Sequence, residues 1–112
     1  MKVKGETLLW VTQRASAAVL ALCVVVHLAT LVYAVQGGLT AVEILARTRG
    51  SVAWLAFYAV FVLAIALHVP IGLRAVLNEW AGWRGASRDW VLLGFGVLLA
   101  CAGMRAVLAV YL

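Results

Sequence analysis

Residues 50–73 read GSVAWLAFYAVFVLAIALHVPIGL, an uninterrupted run without a charge, closed by Arg74. A helix rising ~1.5 Å per residue crosses a ~30 Å hydrocarbon core in about 20 residues, so this run reads as a membrane span. Working outward, Ala15 to Val42 is also uncharged, as is Trp90 to Met104, and the apolar run resumes after Arg105 as far as Leu112. Three spans fit, at roughly 12–36, 52–77 and 89–111. Gly37-Gly38 is a helix stop after the first. Residues Gly82 to Ser87 form the second link, with Ser87 or Asp89 expected to cap the third helix. No repeat or linker divides the chain, so residues 1–112 are expected to form a single membrane domain of the all-α class.

Composition agrees. Hydrophobic residues make up 67% of the chain and charged ones 12%, where a soluble domain is near half apolar and about a quarter charged. The net charge is +5, but the basic residues form no cluster interleaved with polar ones, which excludes nucleic acid as a partner. They mark topology instead. Lys2, Lys4, Arg14, Arg74, Arg84 and Arg88 fall at one membrane face and only Arg47 and Arg49 in the first link. The positive-inside rule then puts the N-terminus inside and the C-terminus outside, with Trp10, Trp80, Trp83 and Trp90 as an inner aromatic belt. Lys2 and Lys4 before an apolar run, with Val32-Tyr33-Ala34 beyond, resemble a signal peptide; the run exceeds the ~7–15 residues of a signal core, and a retained span is expected. Cys23 and Cys101 lie in apolar runs without metal-ligand spacing.

Ionisable residues at membrane depth are rare and usually functional. Both histidines, His27 and His68, lie inside spans. A single one would be read equally well as bonded to a neighbouring helix; two in successive spans point to axial ligation of haem iron, for which imidazole is the usual ligand. Counting from Arg14 and Arg74 as marks of the inner surface, His27 stands roughly 20 Å up and His68 roughly 9 Å. Two ligands of one upright macrocycle need one height, so each histidine would pair with a ligand from another chain, which implies two haems stacked across the membrane, or one haem and one structural histidine. Gly72 and Ala64, one turn to either side of His68, leave room for a porphyrin, or alternatively for a packed helix. Arg74 is a candidate for a haem propionate or a snorkelling anchor. Arg105, roughly 22 Å up the third span, offers the same choice near the height of His27. Arg14 and Ser16, at the entry to the first span, are candidates to hydrogen-bond a quinone carbonyl, the alternatives being positive-inside anchoring and a helix-facing hydroxyl.

His68-Val69-Pro70-Ile71-Gly72-Leu73-Arg74 with Glu79 resembles the second-helix signature, H-x-x-x-G-x-R and an acidic residue, of the cytochrome b membrane anchors of succinate dehydrogenase and fumarate reductase. Gln13-Arg14-Ala15-Ser16-Ala17 is similar to the family's first-helix entry, H/Q-R-x-S-G. The resemblance implies that His68 is a haem b ligand, that Arg14 and Ser16 lie by a quinone site, that Arg74 is near the haem propionates, and that Glu79 pairs with Arg14. Ala17 departs from the motif's glycine, Trp10 stands where single-haem relatives carry a quinone-binding serine, and Ala75 stands where some have histidine. His27 departs from single-haem anchors and matches the first-helix ligand of di-haem ones, whose further ligands a chain of this length would take from a second anchor subunit.

The resemblance therefore implies a haem b-binding anchor in a bacterial inner membrane, sharing two haems with a second anchor subunit, one haem remaining possible. Its partners would be an iron–sulfur subunit, a flavoprotein subunit, membrane quinone and the lipid bilayer. The chain would carry electrons in a complex of the tricarboxylic acid cycle without acting on succinate itself; it has no dinucleotide fingerprint and no cysteine set for a cluster. A haem-less or single-haem anchor of the fumarate reductase type is the alternative. A proton-relay transporter would need acidic residues at depth, and Glu6, Glu43, Glu79 and Asp89 all lie outside the spans.

Overall fold

Between Glu6 and Gln36 the chain has neither glycine nor proline, and it forms one continuous helix, α1, Lys2–Gly37. The computed structural model describes the backbone of residues 2–112 and the side chains of residues 4–112; Lys2, one of the flanking charges, has a side chain outside the described set. At ~1.5 Å per residue α1 is about 54 Å long, well beyond a bilayer core. The helix therefore starts ten residues before the expected boundary, its polar first turns standing clear of the span. It ends where Gly38 adopts φ 98°, a conformation that suits glycine.

A short helix not expected from the span pattern follows, α2, Ala41–Thr48. Its start is written in Thr40-x-x-Glu43: the Thr40 hydroxyl accepts from the Glu43 backbone N–H at 3.2 Å, as in a capping box. Its end is tied to the last turn of the chain, with Gly50 N donating to Tyr111 O at 2.8 Å and Thr48 Oγ1 to Val110 O at 2.9 Å. Those carbonyls have no partner within their own helix, so the first link and the end of the chain share one face of the bundle.

The central helix α3, Val52–Val76, begins at an Ser51 cap whose hydroxyl accepts from Trp54 N. It continues through Pro70 and passes into a π-helical turn, Leu77–Ala81, closed by Gly82 at φ 66°. The last helix is α4, Ala86–Tyr111. Ser87 and Asp89 do not cap it. Gly85 at φ 98° occupies the cap position without a side-chain bond, Ser87 Oγ accepts from Trp83 Nε1 at 3.0 Å, and Asp89 is engaged by arginines. All three long helices are apolar enough to cross a membrane, and no strand occurs among the described residues.

The helix α3 packs against both α1 and α4, which barely touch each other. Small residues set the α3–α4 seam. A Cβ added at Gly96 would stand 3.0 Å from the Pro70 ring and 3.2 Å from Ala66 O, and one at Gly103 would stand 2.6 Å from a Val62 methyl carbon. Pro70 has no N–H to give Ala66 O, and Gly96 lets α4 lie directly on that stretch. Outward side chains such as Leu22 and Val25 are about two-thirds exposed, as lipid-facing positions of a span are.

Candidate functional site

The two histidines sit on opposite sides of the α1–α3 seam and at its two ends. His68, on α3, faces α1: its Nδ1 lies 3.4 Å from Ser16 Oγ, whose hydroxyl donates to Gln13 O at 3.1 Å. Ser16 is buried. One turn along, the space beside Gly72 is filled by the Gln13 amide, whose Nε2 would stand 3.2 Å from a Cβ there. Gln13 Oε1 is buried without a hydrogen-bond partner, a costly state for a polar atom. The small residues around His68 thus admit α1, with the Gln13 side chain packed against Gly72.

His27, on α1, faces α3 in turn. Its Nδ1 lies 3.2 Å from Tyr58 Oη, and its ring meets Tyr58 and Phe61 edge-on at 5.8 and 5.7 Å. The register between the helices fixes the heights. His27 is eleven residues from Ser16 on α1, and Tyr58 ten from His68 on α3, so the imidazoles are about 15–17 Å apart along the bundle. Counting from the arginines gives roughly 11 Å; the larger value follows because Arg14 and Arg74 do not lie level. Two cavities of ≈ 150 and ≈ 330 Å³ meet at His27 and Tyr58, with Ile44 and Thr48 of α2 as further shared walls.

The arginines meet carboxylates and rings of the chain itself. Arg74 lies between two carboxylates, Glu6 of α1 at 3.3 Å and Asp89 of α4 at 3.6 Å. Asp89 is also held by the buried Arg88 at 2.8 Å, so this cluster binds three helices at the end of the bundle opposite α2. Arg14 is exposed and lies over Trp10, 5.3 Å from its ring centroid; Glu79, in the π-helical turn, is exposed too, and the two form no ion pair. Residues two apart on a helix point about 200° apart, so exposed Arg14 and buried Ser16 do not converge on one pocket. By the same rule Arg105, exposed, points away from Gly103 and Val107, which wall the cavity at His27. Arg47 of α2, stacked on Tyr33 at 4.9 Å, lines the adjoining cavity of ≈ 150 Å³ at His27. The Thr40 capping signal could have revealed α2, and with it Arg47; Tyr58 was readable as a hydroxyl two turns inside the second span.

The family model described as succinate dehydrogenase/fumarate reductase transmembrane subunit matches residues 1–104. The chain belongs to that family. Family membership makes it a membrane subunit associated with the other subunits of a succinate dehydrogenase or fumarate reductase complex. No curated protein and no solved structure matches it.

This transmembrane subunit fits haem by the chemistry of its donors. No three His, Cys, Asp or Glu side chains gather among the described residues, which suits neither zinc nor a cluster. Haem iron takes four ligands from its own macrocycle and needs only an axial imidazole from a helix. Each histidine has Nδ1 engaged by a hydroxyl, leaving Nε2 as the free nitrogen.

Proposed function

We propose that the chain is a haem b-binding membrane anchor of a succinate:quinone oxidoreductase, lying N-terminus inside in a bacterial inner membrane. It would carry electrons between an iron–sulfur subunit, itself joined to a flavoprotein, and membrane quinone. The observation that carries this reading is the pair of intramembrane imidazoles about 15 Å apart in height, each backed at Nδ1 by a hydroxyl from the facing helix.

In this reading His68 is the axial ligand of the haem nearer the inner face and His27 that of a second haem nearer the outer face. A second anchor subunit supplies the opposite ligands along the side where α1 and α4 leave α3 uncovered. Haem supplies a one-electron relay when bound. The chain's own contribution is position and dielectric. The α1–α3 register holds the imidazoles apart, Gly96 and Gly103 close the α3–α4 seam, and the apolar helices exclude water. Gln13 Nε2, beside Gly72, would donate to a polar edge of the inner haem; Arg74, already shared by Glu6 and Asp89, acts first as the clamp of the inner end. Arg47 takes the outer role that the sequence suggested for Arg105. Quinone is the membrane partner at the inner end, where Arg14 and Trp10 face the interface.

A reduced-minus-oxidised spectrum of the purified complex tests the reading. A low-spin b-type signal that is lost in His68→Ala is expected, because alanine offers iron no ligand. A complex without any b-type signal, or with an unchanged one in that variant, overturns it.

A further inference from the structure

We infer that Ser16 is a positioning residue for haem rather than a quinone contact: its hydroxyl fixes the tautomer of His68 so that Nε2 is the nitrogen presented to iron. The inference rests on the haem-anchor reading above and adds to it a role for a residue that the sequence directs elsewhere.

The argument is a count of protons. A serine hydroxyl has one proton to donate and lone pairs to accept with. Ser16 Oγ stands 3.1 Å from Gln13 O and 3.4 Å from His68 Nδ1. The carbonyl oxygen only accepts, and it is the nearer, so the proton of Ser16 goes to it. The oxygen then faces His68 Nδ1 with a lone pair, and that contact is a hydrogen bond only if Nδ1 carries the proton. In a neutral imidazole the other nitrogen, Nε2, is then bare, which is the form that binds a metal. Ser16 is buried, so water does not compete for either bond. The arrangement is the one in which a ligating histidine donates its second N–H to a fixed acceptor, which sets ring orientation and raises basicity.

His27 provides the contrast. Its hydroxyl partner, Tyr58 Oη, has no other hydrogen-bond partner among the described residues. The phenol proton is free to point at Nδ1, so Tyr58 accommodates either tautomer where Ser16 selects one. The inner site is set for ligation before haem arrives and the outer one is not.

The test uses the whole membrane complex carrying Ser16→Ala, Ser16→Thr or His68→Ala, with the midpoint potential and the oxidised-state electron paramagnetic resonance of each haem as readouts. Losing the acceptor makes the imidazole a weaker donor to ferric iron. Ser16→Ala should therefore raise the midpoint of the inner haem and shift its resonance, leave the outer haem unchanged, and be rescued by Ser16→Thr, which keeps a hydroxyl. An inner haem in Ser16→Ala with wild-type potential and resonance overturns the inference, while loss of that same haem in His68→Ala leaves the anchor reading standing. Retention of both haems in His68→Ala overturns the anchor reading itself. Should both Ser16 variants fail alike, the unaltered complex decides: with ¹⁵N-labelled histidine and reduced, diamagnetic haem, a protonated, hydrogen-bonded Nδ1 on the inner ligand supports the inference, and an Nδ1 without that bond refutes it.

Discussion

Replacing Gly103 by alanine probes the α3–α4 seam, one of the two packings that build the bundle. The new Cβ would stand 2.6 and 2.9 Å from the two Val62 methyl carbons and 3.3 Å from its Cβ, closer than carbon atoms approach. Val62 is β-branched and held at χ1 within a helix, so it relieves the clash only by leaving its rotamer or by moving α4 outward. Overpacking of this kind costs about 1–3 kcal/mol. Alanine recovers up to about 1 kcal/mol over glycine in a helix, leaving a net loss of up to about 2 kcal/mol, or roughly a thirtyfold fall in the folded-to-unfolded ratio at the upper end. Two controls isolate the cause. Nothing lies within 4 Å of a Cβ at Gly94, so Gly94→Ala should be neutral or slightly stabilising. Val62→Ala removes the methyl carbons that obstruct Gly103→Ala, and the double variant should regain most of the loss as a coupling energy between contacting residues. Thermal unfolding of the detergent-extracted complex, followed by monodisperse elution after heating, measures all four. A Gly103→Ala complex as stable as the wild type, or a double variant that loses the sum of both single effects, would refute the seam described here.

Asp89→Asn should destabilise the complex by about 1–3 kcal/mol, and by more than Glu6→Gln, because Asp89 serves both Arg74 and the buried Arg88 whereas Glu6 is largely exposed; the same heating assay ranks the two. Thr40→Ala should loosen α2 by about 1 kcal/mol through loss of its cap, seen as faster hydrogen exchange confined to residues 41–48. Tyr58→Phe should perturb the spectrum of the outer haem alone, since Tyr58 touches His27 and lies about 15 Å from His68 along α3; a change in both haems would contradict that separation.

The three spans were legible because uncharged runs of bilayer length admit few other readings, and the long helices keep those positions. The ends were less so. A hydropathy pattern stops at the edge of lipid, whereas α1 is held together by its backbone and by Glu6 meeting Arg74 from another helix. The height difference of the histidines was readable from spacing, since helix rise is constant, but its size needed the α1–α3 register. Side-chain roles were the least legible. Arg14, Arg74 and Arg105 were matched by sequence position, yet which carboxylate or ring an arginine meets depends on a helix face and a neighbour that the linear order does not encode. Ser16 shows the same limit: its place in a motif suggested a ligand contact, and only the facing helix reveals that its hydroxyl meets His68.

Haem content is the most direct measure of the central claim. The pyridine haemochrome of the purified complex should give two haems b for each copy of this chain, with His68→Ala losing the inner one and His27→Ala the outer one. A wild-type complex with no haem, or a His27→Ala complex that keeps its full haem content and both midpoints, would contradict the account.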